Sequence, residues 1–367
     1  MICERLKTVL SPELSLADQA AFEAFVAASP YGACQQTRAW AANVPKSRRQ
    51  DYLLFLCREG EAVVGAGAVR RSRLGPFARL ATLQRGPVVD RVERLGAVAS
   101  ALKQALRDNG CSTLVLGPRI GGDGREEALR ALSDQGFARL PERGQSLHIV
   151  TGTIDLRPGE DAILAGFKQR GRRQIRNASK QGVSVRPASS GPDVEAYQRV
   201  LGEFQRLRPD YDTRGLPDAF QQAAIVRANG GAILLAEKDG EVIGGHAFVV
   251  QGGDAMWLSM ATLDSDPSVP RAYLLLWEAI RLARQMGCRR YDLAGLAGGG
   301  EDAGGGSGDG GEAGRDQFKT AFAPAVDKLV PAHVAPLRPL RHLLFFNARQ
   351  YYRTVRNRMR AARSGRP

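Results

Sequence analysis

The chain is short of the residues that staple a fold with covalent bonds or metal. Its 367 residues include five cysteines and four histidines. Cys3, Cys34, Cys57, Cys111 and Cys288 are odd in number, far apart and without Cys-x-x-Cys spacing. That argues against a disulfide framework and for a reducing cytoplasm. His148, His246, His333 and His342 are too scattered for a metal cluster, so no metal is expected. No apolar run is long enough to cross a bilayer. The opening MICERLKTVLSPEL carries acidic residues where a secretory signal needs an apolar run, so a soluble, cytoplasmic protein is expected. Acid is also scarce. Thirty-eight Asp and Glu against 52 Lys and Arg leave a formal charge of +14, which points to a polyanionic partner.

What is present is a well-patterned α/β chain. A hydrophobic share of 43% is ample for real cores, and the length suits two domains. PRAYLLLWEAIRLARQMG (270–287) reads as a buried helix that opens at Pro270 and stops at Gly287. A strand over 288–294 follows, sending Tyr291 and Leu293 to one face and Asp292 to the other. After a glycine tract, Phe318-Lys319 and Phe322 return to the core beside the end of that strand. In open α/β sheets, chemistry gathers at such carboxyl ends.

The chain also repeats itself. ILLAEKDGEVIGGHAFVV (233–250) mirrors LFLCREGEAVVGAGAVR (54–70), with Gly60 set against Gly240 and Gly65 against Gly244. NGCSTLVLG (109–117) mirrors MGCRRYDLAG (286–295), with Cys111 set against Cys288. A shared order of strands, hairpin, helix and Gly-Cys predicts two copies of one α/β (α+β) domain. The first spans 1–150 and is completed by the tail 325–367; the second spans 151–324.

Three stretches stand out by charge or composition. GFKQRGRRQIRNASKQGVSVRP has seven basic residues and no acidic one. It is expected to form a helix over 161–182, with Phe167, Gly171, Ile175 and Ala178 inward. Lys168, Arg172, Arg176 and Lys180 then recur beside that stripe, with Arg170 and Arg173 farther round. No glutamate at i,i+4 relieves the repulsion, which favours an anionic partner over a merely solvated face. The insertion 298–314 has ten glycines in seventeen residues plus four acids, and lacks the Gly-Lys-Ser/Thr of a phosphate loop. The tail from Arg338 has nine arginines and no acid, with Arg349, Arg353, Arg356, Arg360 and Arg363 on one helical stripe. It suits a phosphate backbone, an anionic membrane surface, or a docked helix with a solvated face.

Lys168…Arg170…Arg173-Gln174-Ile175-Arg176-Asn177-Ala178…Lys180-Gln181-Gly182-Val183 resembles the basic helix of the Fem family of non-ribosomal peptidyl transferases. So do Leu276-Trp277-Glu278-Ala279-Ile280…Tyr291-Asp292-Leu293 and Phe318-Lys319…Phe322. Trp40, the hairpin near Gly65 and Arg85-Gly86-Pro87 lie in the family's order. The resemblance implies tandem GNAT-like acyltransferase domains and transfer of an amino acid from aminoacyl-tRNA to an amine on a peptidoglycan precursor. It further implies a UDP- or lipid-linked muropeptide or other amine acceptor, no cofactor beyond aminoacyl-tRNA as co-substrate, and a monomer. By the same carry-over Lys319 stabilises transition-state charge. Asp292, from its place at the strand end, either accepts a proton or orients the amine, or forms an ion pair with a neighbouring arginine. Lys46, Arg214, Phe318 and Trp257 hold substrate. Lys168, Arg172, Arg173, Arg176, Lys180, Arg353 and Arg356 meet tRNA. Gly117 stands where the family often has an acid, and Ala323 where it has glycine. Two other readings remain: a GNAT-type N-acyltransferase fed by coenzyme A or forming natural-product amides, and a non-catalytic RNA-binding protein. The turn LDSDPSVP lacks the glycines that cradle a coenzyme A pyrophosphate.

Overall fold

The computed structural model describes residues 6–141, 145, 148–207, 216–263, 268–296 and 317–348. The chain folds as two compact units, Met1–Ala41 with Lys46–Leu147 and Val330–Pro367, and Ala42–Pro45 with His148–Leu329.

The first unit opens with β1 (Lys7–Ser11) and α1 (Leu16–Ala28), followed by α2 (Arg38–Asn43). Then come the hairpin β2 (Gln50–Glu59) and β3 (Ala62–Arg73), β4 (Arg79–Arg85), β5 (Val88–Val89), α3 (Leu95–Asp108), β6 (Thr113–Pro118), α4 (Arg125–Asp134) and β7 (Ala138–Arg139). Leu95, Val98, Ala99, Leu102 and Leu106 recur at helical spacing, and all are buried, so α3 docks by that stripe. Strand β15 (His333–Pro336) comes from far along the chain and fills the place between β6 and β7. The sheet order is β1-β2-β3-β4-β6-β15-β7, with β5 beside β3.

In the second unit β8 (Val150–Asp155) is followed by α5 (Glu160–Gly166), α6 (Gln169–Lys180), β9 (Ser184–Pro187), α7 (Gly191–Leu207) and α8 (Ala219–Asn229). Then come β10 (Gly231–Lys238), β11 (Glu241–Gln251), β12 (Asp254–Thr262), α9 (Arg271–Gln285), β13 (Arg290–Gly295) and β14 (Ala325–Lys328), in sheet order β14-β8-β13-β12-β11-β10-β9. Alternation along β10 buries Leu234 and Ala236 in the core shared with α6 and α9, and Ile233 and Leu235 in the core shared with α7. Because 325–328 adds a strand to this sheet, the chain joins the first unit at Val330 rather than at 325.

The repeat is visible in register. Cys57 pairs with Gly65 and Arg58 with Val63, which leaves Val64 bulged; Ala236 pairs with Gly244 and Glu237 with Val242, which leaves Ile243 bulged. Gly65 thus answers Gly244, as the sequence suggests. Gly60, however, occupies the place of Asp239, not of Gly240. The loops are Gly60-Glu61 and Asp239-Gly240, and the second has φ of 52° and 81° at its two residues. That loop needs positive φ twice, so its glycine falls one position later.

The single basic helix expected over 161–182 is two helices. Phe167 and Lys168 are extended, with ψ of 152° at each. The break lets the Phe167 ring turn into an aromatic cluster, edge-on to Trp277 at 5.5 Å and to Phe322 at 5.0 Å. The Lys168 N–H, freed from a helix, donates to the Ala321 carbonyl at 3.0 Å.

Candidate active site

Two neighbouring parallel strands part company in the second unit. β12 and β13 pair at Asp254↔Arg290, Ala255↔Tyr291 and Met256↔Asp292, and no further. Their beginning is clamped, since the Arg290 guanidinium grips the buried Asp254 carboxylate with two bonds of 3.1 and 2.8 Å. Beyond Met256 a bulge at Leu258 turns β12 relative to β11, and residues 257–260 become half-buried. On the other side, β13 slips against β8 between Asp292 and Gly295, with Ala294 at φ 58°. In the first unit the corresponding strands β4 and β6 stay paired from Leu80↔Thr113 through Arg85↔Pro118. Gln36 seals that region: buried, it donates to the Gln84 carbonyl at 2.7 Å and accepts from the Ala68 N–H at 3.0 Å. The strands of the second unit therefore part where those of the first stay paired.

Lys319 sits where β12 and β13 part. A helical turn at 317–320 carries it, and its side chain is only 4% exposed. Its ammonium lies 5.0 Å from the centroid of the Trp257 ring and donates to the Gly295 carbonyl at 2.8 Å. Both contacts favour the cation. The neighbouring Phe318 is edge-on to Tyr273, Trp257 and Phe322 at centroid distances of 4.9, 6.4 and 5.4 Å. This aromatic wall keeps the turn in one place. Helix α6 supports it from behind, because Gly171 lies directly against the Ala321 backbone; a Cβ there would come within 2.6 Å of the Ala321 oxygen.

Asp292 is also buried. Its Oδ1 accepts from the Thr151 hydroxyl at 2.5 Å and from the Ala294 N–H at 2.8 Å. Thr151 also bonds to the Ala294 carbonyl at 3.1 Å. These bonds hold the bend that presents the Gly295 carbonyl to Lys319.

Behind Trp257 lies a histidine that the sequence reading did not single out. His246 is fully buried, with its ring 4.5 Å from that of Trp257. Its Nδ1 faces the Ser259 carbonyl at 2.7 Å, and its Nε2 faces the Tyr291 hydroxyl at 2.5 Å. A carbonyl only accepts, so Nδ1 carries the proton and Nε2 accepts from Tyr291. Burial, together with the nearby Lys319 charge, pushes the imidazole down to about 3, so it is neutral. The one available signal was a histidine inside an otherwise apolar strand. Thr151 gave none, lying at the domain boundary.

The other expected residues are placed as follows. Lys46 belongs to the first unit, exposed, with its ammonium 5.5 Å from the centroid of the Tyr52 ring. In α6, Arg173, Arg176 and Lys180 are exposed, as is Lys168 before it, while Gly171, Ile175 and Ala178 are buried. Arg172 is engaged elsewhere: its guanidinium donates to the Ala165 carbonyl at 2.9 Å and to the Phe167 carbonyl, closing the end of α5. Arg214, the 298–314 insertion, Arg353 and Arg356 lie outside the described residues. Among the described residues no group of His, Cys, Asp and Glu could hold a metal ion, and no helix is long and apolar enough to cross a membrane.

Residues 165–319 match the family model of the Acetyltransferase (GNAT) domain. No curated protein matches the chain. Among solved structures, FemX is similar over 92% of this chain and 99% of its own, with a TM-score of 0.74 at 15% identity. The C-terminal domain of a putative lysylphosphatidylglycerol synthetase from Agrobacterium fabrum is similar over 88% and 92%, with a TM-score of 0.52 at 15% identity. A tandem GNAT protein from the clavulanic acid biosynthesis pathway is similar over 90% and 98%, with a TM-score of 0.51 at 14% identity. In fold, the chain is a Fem-like protein made of tandem GNAT-type units.

Proposed function

We propose that this protein is an aminoacyltransferase that moves an amino acid from aminoacyl-tRNA to an amine, with a UDP- or lipid-linked peptidoglycan precursor peptide as acceptor. The observation that carries the reading is the Lys319 ammonium, held by Trp257 and Gly295 at the parting of β12 and β13. The acceptor nitrogen attacks the ester carbonyl, the C–N bond forms, and the carbonyl oxygen gains negative charge. A fixed cation is worth most where charge develops, so Lys319 stabilises that oxyanion. The intermediate collapses with cleavage of the C–O bond, and the ribose oxygen leaves with the proton given up by the amine. The ester is already activated, so the transfer needs no ATP. Asp292 acts on Lys319 through the Gly295 bend and is a positioning residue. Phe318 and Trp257 wall the acyl group. The exposed bases of α6 offer the tRNA its phosphate contacts.

The decisive experiment incubates the protein with a pool of charged tRNAs and cell-wall precursors, and measures acceptor mass. Gain of one amino-acid residue supports the reading; no gain with any charged tRNA overturns it. The match to an acetyltransferase domain supports a second reading, transfer from acyl-coenzyme A. Against it, the turn LDSDPSVP before α9 carries two aspartates and no glycine. Acetyl-coenzyme A in place of the charged tRNAs separates the two.

A further inference from the structure

The first unit holds a basic groove that the proposed transfer does not use. It has a volume of about 240 Å³, and Arg48, Arg49, Asp51, Arg71, Arg73 and Arg79 line it, so five guanidinium groups meet one carboxylate. Three separate segments bring them together: the lead into β2, the end of β3 and the start of β4. The pairing explains why, since Asp51 stands opposite Arg71 and Arg73 opposite Arg79. Arg71 is fixed in place by the Asp51 carboxylate at 2.7 and 2.8 Å and by the Asn109 side chain at 2.6 Å. The side chains of Arg48, Arg49, Arg73 and Arg79 are exposed and form no ion pair or hydrogen bond among the described residues. Four unrelieved guanidinium groups around one cavity repel each other, a cost that a bound anion removes. Between Arg73 and Arg79 the hairpin loop, closed by the Leu74 N–H to the Ala78 carbonyl, lifts Phe77 into solvent with 67% of it exposed.

We propose that this groove binds the sugar-phosphate backbone of an RNA strand and that Phe77 stacks on one of its bases. Arginine forks match phosphate oxygens, and an exposed aromatic ring among arginines is how single-stranded nucleic acid is held without reading its sequence. The alternative anion is a lipid surface. It fits less well, because a bilayer is flat and the guanidinium groups line a concavity. The identification of the strand as tRNA rests on the proposed donor; the binding of RNA does not.

The test uses the full chain and uncharged tRNA, with affinity followed by fluorescence anisotropy across a potassium chloride series. The variant Arg48→Gln/Arg49→Gln/Arg73→Gln/Arg79→Gln removes side chains that hold nothing in the fold, so its melting temperature should match the wild type. Losing two to four phosphate contacts should lower the slope of log K against log salt by about 1.5–3.5 and weaken binding accordingly. Phe77→Ser should weaken binding of a twelve-residue uridine oligonucleotide about tenfold and leave the salt slope unchanged. An unchanged slope and affinity in the folded quadruple variant overturns the proposal. So does loss of binding to phosphatidylglycerol vesicles with tRNA binding intact. Arg173→Gln/Arg176→Gln/Lys180→Gln in α6 serves as the control. If only that variant loses tRNA, the groove proposal fails and the donor assignment stands. If the groove variant loses tRNA yet no charged tRNA supports transfer, the groove stands and the donor assignment fails.

Discussion

The Lys319 ammonium rests 5.0 Å from the centroid of the Trp257 ring, beside a strand that has just left its parallel partner. A cation on an indole face is attracted by the ring's quadrupole, and this one is further held by a carbonyl. The charge is therefore fixed before substrate arrives, which is the condition for oxyanion stabilisation without reorganisation. Lys319→Met keeps much of the stem and removes the charge. Turnover should fall on the order of 10²–10³-fold with little change in donor or acceptor affinity. Lys319→Arg should recover part of the rate, because its planar fork carries the charge elsewhere. A raised KM with normal kcat would make Lys319 a binding residue instead.

Asp292 should behave as a positioning group. Asn at this place still offers an Oδ1 to the Thr151 hydroxyl and the Ala294 N–H, so Asp292→Asn should keep kcat within about tenfold and stability within about 1 kcal/mol. Asp292→Ala removes the acceptor of both bonds. It should cost about 1–3 kcal/mol and lower kcat with the loosened Lys319. If Asp292→Asn alone abolishes turnover in a folded protein with a normal urea midpoint, the carboxylate takes a proton.

At Gly171 two effects compete. In an ordinary helix interior, Gly→Ala stabilises by about 1 kcal/mol. Here the new methyl would stand 2.6 Å from the Ala321 oxygen, and backbone cannot yield as a side-chain tip can. Overpacking of this kind costs about 1–3 kcal/mol, so the sign reverses. Gly171→Ala should lower the melting temperature and, by pushing the 317–322 segment, lower kcat. Gly202, also in a helix but with open space around it, should show the ordinary stabilising sign.

Much of this arrangement was legible in the sequence, because periodicity reports burial directly. The apolar helix before Gly287, the Phe318-Lys319-Phe322 return and the inward stripe Gly171-Ile175-Ala178 are all as the pattern predicts. What pattern could not report were contacts between distant segments. The break at Phe167 follows from an aromatic cluster made with Trp277 and Phe322, and no local signal marks it. Arg172 looks like its basic neighbours in one dimension, yet it closes the preceding helix through two carbonyls. The parting of β12 and β13 is likewise invisible from either strand alone, since the matching strands of the other copy stay paired.

His246 gives a prediction with a defined pH window. Its folded-state value, about 3, lies below the ordinary 6.5, because burial penalises the imidazolium. Below pH 6.5 the unfolded chain takes up a proton that the native chain refuses. The stability associated with this neutral histidine is therefore complete above pH 6.5 and is lost as the pH falls toward 3, approaching about 1.4 kcal/mol per pH unit. His333 and His342 are also shifted down, so the wild-type curve alone mixes three groups. His246→Gln isolates one of them. Glutamine retains a donor for the Ser259 carbonyl and an acceptor for the Tyr291 hydroxyl, and it has no proton to gain. Urea unfolding of both proteins at pH 7.5, 6.5 and 5.5 should show their stability difference shrinking by about 1 kcal/mol between the last two values. Little change is expected between the first two. Parallel curves would mean that the imidazole takes up its proton as readily in the native chain as in the unfolded one. In that case burial would not be holding the ring neutral beneath Trp257 at acidic pH.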